Sequence, residues 1–466
     1  MRLIFVHGWS VTDIETYGEM PQALANRSSD YGIELDIQHI YLGRYISFHD
    51  EVTLDDIARA MNKALKDLPG NDHGIQPFSC ITHSTGGPVV RHWIDRYYSG
   101  DALDSCPLNH LVMLAPANHG SALAKLGKAR VGRIKSWFSG VEPGQRVLDW
   151  LSLGSDGQWV LNENYLDYDC TAHGLYPFVL VGQGIDHAFY DFLNRYLVEK
   201  GSDGVVRVAG ASLNYQYVSL KQNISVPVPD RDESFLLEVD GEVRVSKPVA
   251  LGVYDDRSHS GDDMGIMRSV PANGDDQVAT DILKCLKVSD QDEYTARYNE
   301  LMQFTDAQQT AAMARTGRKK IGRYCMLVFN VCDDQGELIK ENDYDLFLLG
   351  SSAYTPDKLP NDFFVDRQMN SKSGRLVYYL DADKMKKVKD GKIGFRIVAR
   401  PEEGFSYYRE AEFRSDGTSL EKVIQPNATT YIDIVLHRFV DENVFRFDGP
   451  DDFKKLKPSG DPLNDD

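Results

Sequence analysis

The stretch Cys80-Ile81-Thr82-His83-Ser84-Thr85-Gly86-Gly87 carries residues that could do acyl-transfer chemistry. An apolar run ends in a hydroxyl flanked by small residues, and helical spacing follows. A serine in so tight a strand-to-helix turn is held above the sheet edge, where its hydroxyl can reach substrate. Small residues two before and two after it let strand and helix pack closely. Thr82 stands where the usual Gly-x-Ser-x-Gly pattern has its first glycine. It is still small enough for the crossing, and Gly86-Gly87 keep the crowded side open. A serine hydroxyl is a poor nucleophile until a base takes its proton, so an imidazole and a carboxylate to orient it must come from elsewhere in the chain. His83, one residue off the nucleophile, is placed to shape the turn and not to act as that base. The competing reading is an ordinary glycine-rich turn with an exposed serine.

The elbow Thr82–Gly86 resembles that of the α/β-hydrolase family, in particular bacterial lipases and phospholipases. A second matching piece is Val6-His7-Gly8-Trp9, about 75 residues earlier. In lipases such a His-Gly turn holds one backbone N–H of the oxyanion hole. The resemblance carries this role to the amide of Trp9, with the amide of Thr85 as second donor. Two convergent N–H groups stabilise the oxygen that becomes charged on attack. A looser match is Leu114-Ala115-Pro116-Ala117-Asn118-His119-Gly120-Ser121, like the turn that leads such enzymes into their lid.

The same resemblance implies a late histidine after the last core strand. His259 in Val253–Gly261 fits, with His187 and His119 as rivals that could line the cleft without acting as base. For the acid, Asp203 lies in Gly201-Ser202-Asp203-Gly204-Val205-Val206, which resembles the acid-bearing stretch of many bacterial lipases. Asp186 stands where simpler members of the fold carry theirs. Asp203 is preferred, and the order Ser84, Asp203, His259 is the one this fold requires. The expected chemistry is two-step acyl transfer on an ester, with no cofactor and no metal.

These residues need a scaffold. Leu3–Val6, 33–40, Phe78–Thr82, Leu108–Ala115, Phe178–Gly182 and Val249–Tyr254 read as strands. Helical spacing falls at 18–27, 50–68 and 88–98, and a further helix is expected at 188–197. Val52, Leu54, Ile57, Met61 and Leu65 form one apolar stripe. Alternating strands and helices predict a mostly parallel sheet flanked by helices, the α/β-hydrolase fold. Val205–Val208 reads as a short strand, and 212–246 as an inserted hairpin or small β excursion.

At 466 residues the chain exceeds one hydrophobic core. We expect a catalytic domain at 1–290, a helical connection at 291–320, a C-terminal antiparallel β-sandwich at 321–450 and a flexible tail at 451–466. The sandwich rests on short spaced strands at 325–331, 344–349, 375–380, 392–398, 406–413 and 430–436. Its acidic turns, such as Asp333-Asp334, read as solvated and not as calcium loops, since none has EF-hand spacing. Its expected role is packing on the catalytic domain or contact with a protein or membrane.

Residues 120–176 interrupt the rhythm where this fold carries its lid. Lys125, Lys128, Arg130, Arg133 and Lys135 place five positive charges within eleven residues, uninterrupted by acid. Leu126, Ile134, Trp137 and Phe138 lie among them. In a chain of formal net charge −19, such a basic and apolar segment suits contact with an anionic membrane surface. This favours lipid esters, and phospholipids first. Triacylglycerols, other esters, thioesters and amides are the alternatives, and a binding module on an inactive hydrolase scaffold is the non-enzyme reading. His7, His83 and His119 are candidate cleft residues. The acidic balance argues against nucleic acid. Six scattered cysteines suggest buried apolar positions and no disulfide scaffold. Four apolar residues after Arg2 are too few for a secretory core, and no run is long enough to span a bilayer. A cytoplasmic location, or delivery without a cleaved leader, is expected. The arrangement also resembles lipase-type toxins delivered between bacteria by type VI secretion.

Overall fold

Apolar runs buried on both faces make the strands of a covered parallel sheet. The computed structural model describes residues 1–7, 16–47, 49–126, 144–185, 199–316, 321–340, 342–416 and 423–441. In it β1 (Arg2–His7), β2 (Asp36–Tyr41), β3 (Phe78–His83), β4 (Leu108–Leu114), β5 (Tyr176–Gly182) and β9 (Ala250–Tyr254) form one sheet. Their order is β2-β1-β3-β4-β5-β9, and every pair is parallel. The chain runs outward from β1 to β2, then returns across β1 to β3. The direction of winding therefore reverses between β1 and β3, the kind of switch point at whose carboxyl ends sheets of this type bind ligands. β1 ends at His7 and β3 at His83, so the paired parallel strands finish at the same edge of the sheet.

Helices α1 (Met20–Arg27), α2 (Leu54–Lys66) and α3 (Gly86–Tyr98) fall between the early strands. The start of α2 is closed by a reciprocal pair of bonds between Thr53 and Asp56. Its stripe Leu54, Ile57, Met61 and Leu65 is buried, as the spacing predicts. The described part of the 120–176 region holds α4 (Gln145–Leu151) and α5 (Asp156–Tyr165). Val147, Leu148, Leu151 and Leu161 place it in the main core. Residues 127–143, with most of the basic segment, lie outside the described residues, as does the expected helix at 188–197. The strand expected at Val205–Val208 is instead a turn leading into α6 (Val208–Ala211). The Asp203 carboxylate takes the N–H groups of Val205 and Val206, so no neighbouring strand can pair with them.

After α7 (Gln277–Leu286), α8 (Gln291–Ala314) covers the open edge at β9. Thr305 Oγ1 accepts from Val253 N–H at 3.0 Å and donates to Leu251 O at 2.8 Å, satisfying groups an edge strand would leave exposed.

The second sheet corrects the expectation of an antiparallel sandwich. One continuous mixed sheet collects β6 (Tyr215–Pro227), β7 (Ser234–Val239), β10 (Tyr324–Asp333), β11 (Tyr344–Gly350), β12 (Phe364–Met369), β13 (Leu376–Asp381), β14 (Ile393–Ala399), β16 (Glu410–Arg414) and β17 (Thr429–Leu436). Its order is β11-β14-β16-β7-β6-β17-β10-β13-β12, with parallel pairing at β16–β7, β6–β17 and β17–β10; β8 (Arg244–Val245) pairs with β6 off this path, and β15 (Ser406–Tyr407) pairs separately with β18 (Phe439–Val440). The hairpin at 215–239 is thus central to this sheet and not a local excursion. The sheet curls on itself: Phe329 of β10 meets Phe395 of β14 with ring centroids 5.3 Å apart, although four strands separate theirs. Alternation along β10 serves two cores. Leu327, Phe329 and Val331 enter the curl, while Tyr324, Met326 and Val328 pack into the hydrolase core.

Among the described residues no helix is long and apolar enough to cross a membrane, and no cluster of His, Cys, Asp and Glu could hold a metal ion. The Asp333 carboxylate accepts from the N–H groups of Gln335 and Glu337 and from the Tyr408 hydroxyl, as a turn residue does. All six cysteines are free thiols, four of them buried.

Candidate active site

Ser84 sits at φ 53°, in the left-handed region that a side chain normally avoids. Such a residue costs on the order of 1–2 kcal/mol and persists only where its surroundings fix it. They do: Ser84 N–H donates to Leu114 O at 3.0 Å, and Ala117 N–H donates to Ser84 O at 3.3 Å. The turn after β4 therefore grips the elbow from both sides. The two glycines have a steric reason. A Cβ at Gly86 would lie 3.1 Å from Thr82 Cβ, and one at Gly87 would lie 2.8 Å from Pro116 Cβ. Thr82 thus fits where a glycine was expected because Gly86 gives way to it.

Ser84 Oγ lies 3.1 Å from His259 Nε2, and His259 Nδ1 lies 2.8 Å from Asp203 Oδ2. The other carboxylate oxygen accepts from Val205 N–H at 2.9 Å and Val206 N–H at 2.7 Å. His259 N–H also donates to Asp203 O at 2.9 Å. An ionised carboxylate only accepts, so Nδ1 carries the imidazole proton and Nε2 is left to accept from the Ser84 hydroxyl. Ser84 is 8% exposed, and both partners are 0% exposed. Burial strengthens the three bonds made to the carboxylate. The arrangement can deprotonate a hydroxyl and stabilise the resulting imidazolium.

His83 also meets His259. Its Nε2–H donates to His259 O at 3.0 Å, and the two rings lie 4.6 Å apart. Burial, reinforced by the neighbouring His259, holds its pKa well below the ordinary histidine value. His83 is thus a neutral donor braced against His259. His7, at the end of β1, bonds His39 Nδ1 through Nε2 at 2.9 Å and stacks on Tyr41 at 4.3 Å. Next to it, Tyr17 OH donates to Val6 O at 2.7 Å. These contacts fix the strand end that leads into Gly8-Trp9. Thr85 precedes the first turn of α3, at the electropositive end of that helix. Trp9, Asp186, His187, Ile134, Trp137 and Phe138 lie outside the described residues, as does the side chain of Leu126.

His119 is not a cleft residue. It is buried, with Nε2–H donating to Ser212 O at 2.8 Å and Nδ1 accepting from Tyr431 OH at 2.7 Å. Burial, with the charge of Arg91 added, lowers its pKa to about 3. Tyr431 lies on β17 and also accepts from Asn162 Nδ2 at 2.8 Å. Asn162 in turn accepts from Arg91 at 2.9 Å. A buried strut therefore joins the turn behind Ser84 to the second sheet. Sequence reading missed Arg91, Asn162 and Tyr431. One signal was available: Arg91 interrupts the apolar run Val89, Val90, Trp93 and Ile94 of α3.

No protein-family model matches the chain, and no curated protein does. Solved structures do. The phospholipase PlaB from Legionella pneumophila is 44% identical, with a TM-score of 0.87, over 100% of this chain and 99% of that one. The same phospholipase in complex with thio-NAD matches at 42% identity and a TM-score of 0.85, covering 100% of both chains.

Proposed function

The chain belongs to the family of the Legionella pneumophila phospholipase PlaB and is a serine-type lipid-ester hydrolase; we propose that Ser84, His259 and Asp203 carry out the hydrolysis. The observation that carries the assignment is the enclosed line of bonds from Ser84 Oγ through His259 to Asp203 Oδ2, at 3.1 Å and 2.8 Å. His259 Nε2 takes the hydroxyl proton as Ser84 Oγ attacks the ester carbonyl. The amides of Trp9 and Thr85 hold the charged oxygen. His259 then gives its proton to the departing alcohol. Water, deprotonated by the same imidazole, releases the fatty acid and restores the serine. Asp203 keeps the proton on Nδ1 throughout, its position fixed by the two main-chain donors on its other oxygen.

The substrate class follows from family membership together with the basic segment at 125–135, which suits seating on anionic headgroups. Purified chain is tested on vesicles of phosphatidylglycerol and phosphatidylcholine, with fatty acid and lysolipid resolved, and on triolein. Phospholipid cleavage lost in Ser84→Ala supports the reading, and cleavage of triolein alone overturns it. Vesicle flotation with and without Lys125, Lys128 and Lys135 changed to Glu tests the membrane contact. Delivery by type VI secretion belongs to the same proposal and predicts absence from the medium when that machine is disabled. Because the related phospholipase was solved with thio-NAD, a nicotinamide dinucleotide is a ligand to titrate.

A further inference from the structure

Asp203 rides at the apex of a loop whose two ends are tied together and to the second sheet. Arg207, four residues after it, has a side chain only 2% exposed. Its Nε and Nη2 donate to the two carboxylate oxygens of Glu199, at 2.7 Å each, closing the loop at its base. Nη2 also bonds Asp366 on β12. The guanidinium lies 4.2 Å from the ring centre of Tyr379 on β13. The Tyr379 hydroxyl donates to Lys200 O at 2.9 Å. The loop backbone lies hard against the sheet, since a Cβ at Gly201 would meet the Tyr324 ring at 2.2 Å and the Tyr379 hydroxyl at 2.5 Å. Within this frame Asp203 N–H bonds Val206 O at 3.1 Å.

A buried guanidinium with two carboxylates is a poor source of net stability, because the desolvation cost offsets the attraction. What it supplies is one fixed geometry, since the planar fork meets Glu199 in only one way. That geometry spans the segment carrying Asp203, whose Oδ2 must stay within hydrogen-bond reach of His259. We propose that Arg207, clamped between Glu199 and Asp366, is a positioning residue for Asp203, and that the second sheet is therefore part of the catalytic scaffold. The inference rests on the assignment of Ser84, His259 and Asp203 above.

The test uses the full chain and a soluble short-chain ester, so that membrane contact plays no part. Asp366→Ala, remote from substrate, is expected to lower kcat about tenfold with KM changed less than about twofold. Introduced into Asp203→Ala, the same change is expected to alter kcat less than about twofold, because the group it positions is gone. The far-downfield proton resonance of the His259–Asp203 bond is expected to weaken in Asp366→Ala and return in Asp366→Glu. Should Asp366→Ala fail to fold, Asp366→Asn is read the same way. An unchanged kcat, or an equal loss in the Asp203→Ala background, overturns the clamp and leaves the triad standing. Full activity in Asp203→Ala itself overturns the triad assignment, and the clamp with it.

Discussion

Replacing Asp203 by Asn separates the two tasks of that side chain. Oδ1 accepts two main-chain N–H groups, from Val205 at 2.9 Å and Val206 at 2.7 Å. Those donors still need an acceptor, so the amide oxygen of an asparagine stays with them. Its NH2 then replaces Oδ2, 2.8 Å from His259 Nδ1. An amide NH2 only donates, so Nδ1 must accept and the imidazole proton moves to Nε2. Nε2 then faces Ser84 with a hydrogen and cannot take the hydroxyl proton. A triad put in the wrong tautomer loses about 10⁴ in kcat, or about 5.5 kcal/mol of barrier. Because the loop keeps its backbone bonds, folding stability should change by less than about 2 kcal/mol. Asp203→Ala strips both N–H groups of their acceptor and should cost about 1–3 kcal/mol for each. The assay pairs kcat on a soluble ester with the urea unfolding midpoint. An Asn variant within tenfold of wild-type kcat would show that Asp203 does not set the tautomer of His259.

Other outcomes follow from the same contacts. Gly87→Ala puts a methyl 2.8 Å from Pro116 Cβ and 3.3 Å from Met113 Sδ, and should destabilise the fold by about 1–3 kcal/mol while lowering kcat. A urea midpoint and kcat equal to wild type would show that the elbow is looser than described. Tyr431→Phe leaves buried His119 Nδ1 without its donor and should cost about 1–3 kcal/mol in chemical unfolding. Acid should weaken the fold through two histidines that the fold keeps neutral, His119 buried and His92 partly buried. Burial, with the Arg91 charge, lowers the pKa of His92 to about 4 and of His119 to about 3. The unfolded chain takes up protons below the ordinary value of 6.5 while these rings stay neutral, so stability is full above that pH and falls below it. Between pH 6.5 and pH 5 each should contribute a loss of about 2 kcal/mol, and His119→Gln should lessen the slope of stability against pH.

The legible parts of the sequence were those set by local pattern. The apolar run before Ser84, the glycines after it and the strand before His259 each declare themselves within about ten residues. The parallel order of the first sheet followed from alternation of strands and helices. Most strands of the second sheet were legible, at 324–333, 344–350, 376–381, 393–399, 410–414 and 429–436, but their order was not, because the pairing is non-local. Tyr215–Pro227 pairs with Thr429–Leu436, about 200 residues on, and alternation within either strand does not encode a parallel partner. Phe364–Met369 escaped notice because this edge strand shows Phe364 and Val365 to solvent and mixes them with Asp366, Arg367 and Gln368. Val205–Val208 reads as a strand by composition, and only the capture of its amides by Asp203 makes it a turn. The polar strut of Arg91, Asn162, His119 and Tyr431 draws on residues spread across the chain, and apart from Arg91, which breaks an apolar run, each is ordinary in its own neighbourhood.

Hydrolysis by this chain depends on the hydroxyl at residue 84 being the atom that attacks. Intact chain is treated with a biotinylated fluorophosphonate, digested, and the modified peptide sequenced by mass spectrometry. One adduct is expected, on Ser84, formed at a rate that collapses in His259→Ala and absent from Ser84→Ala. An adduct on another residue, or undiminished labelling of Ser84→Ala, would contradict that role of Ser84.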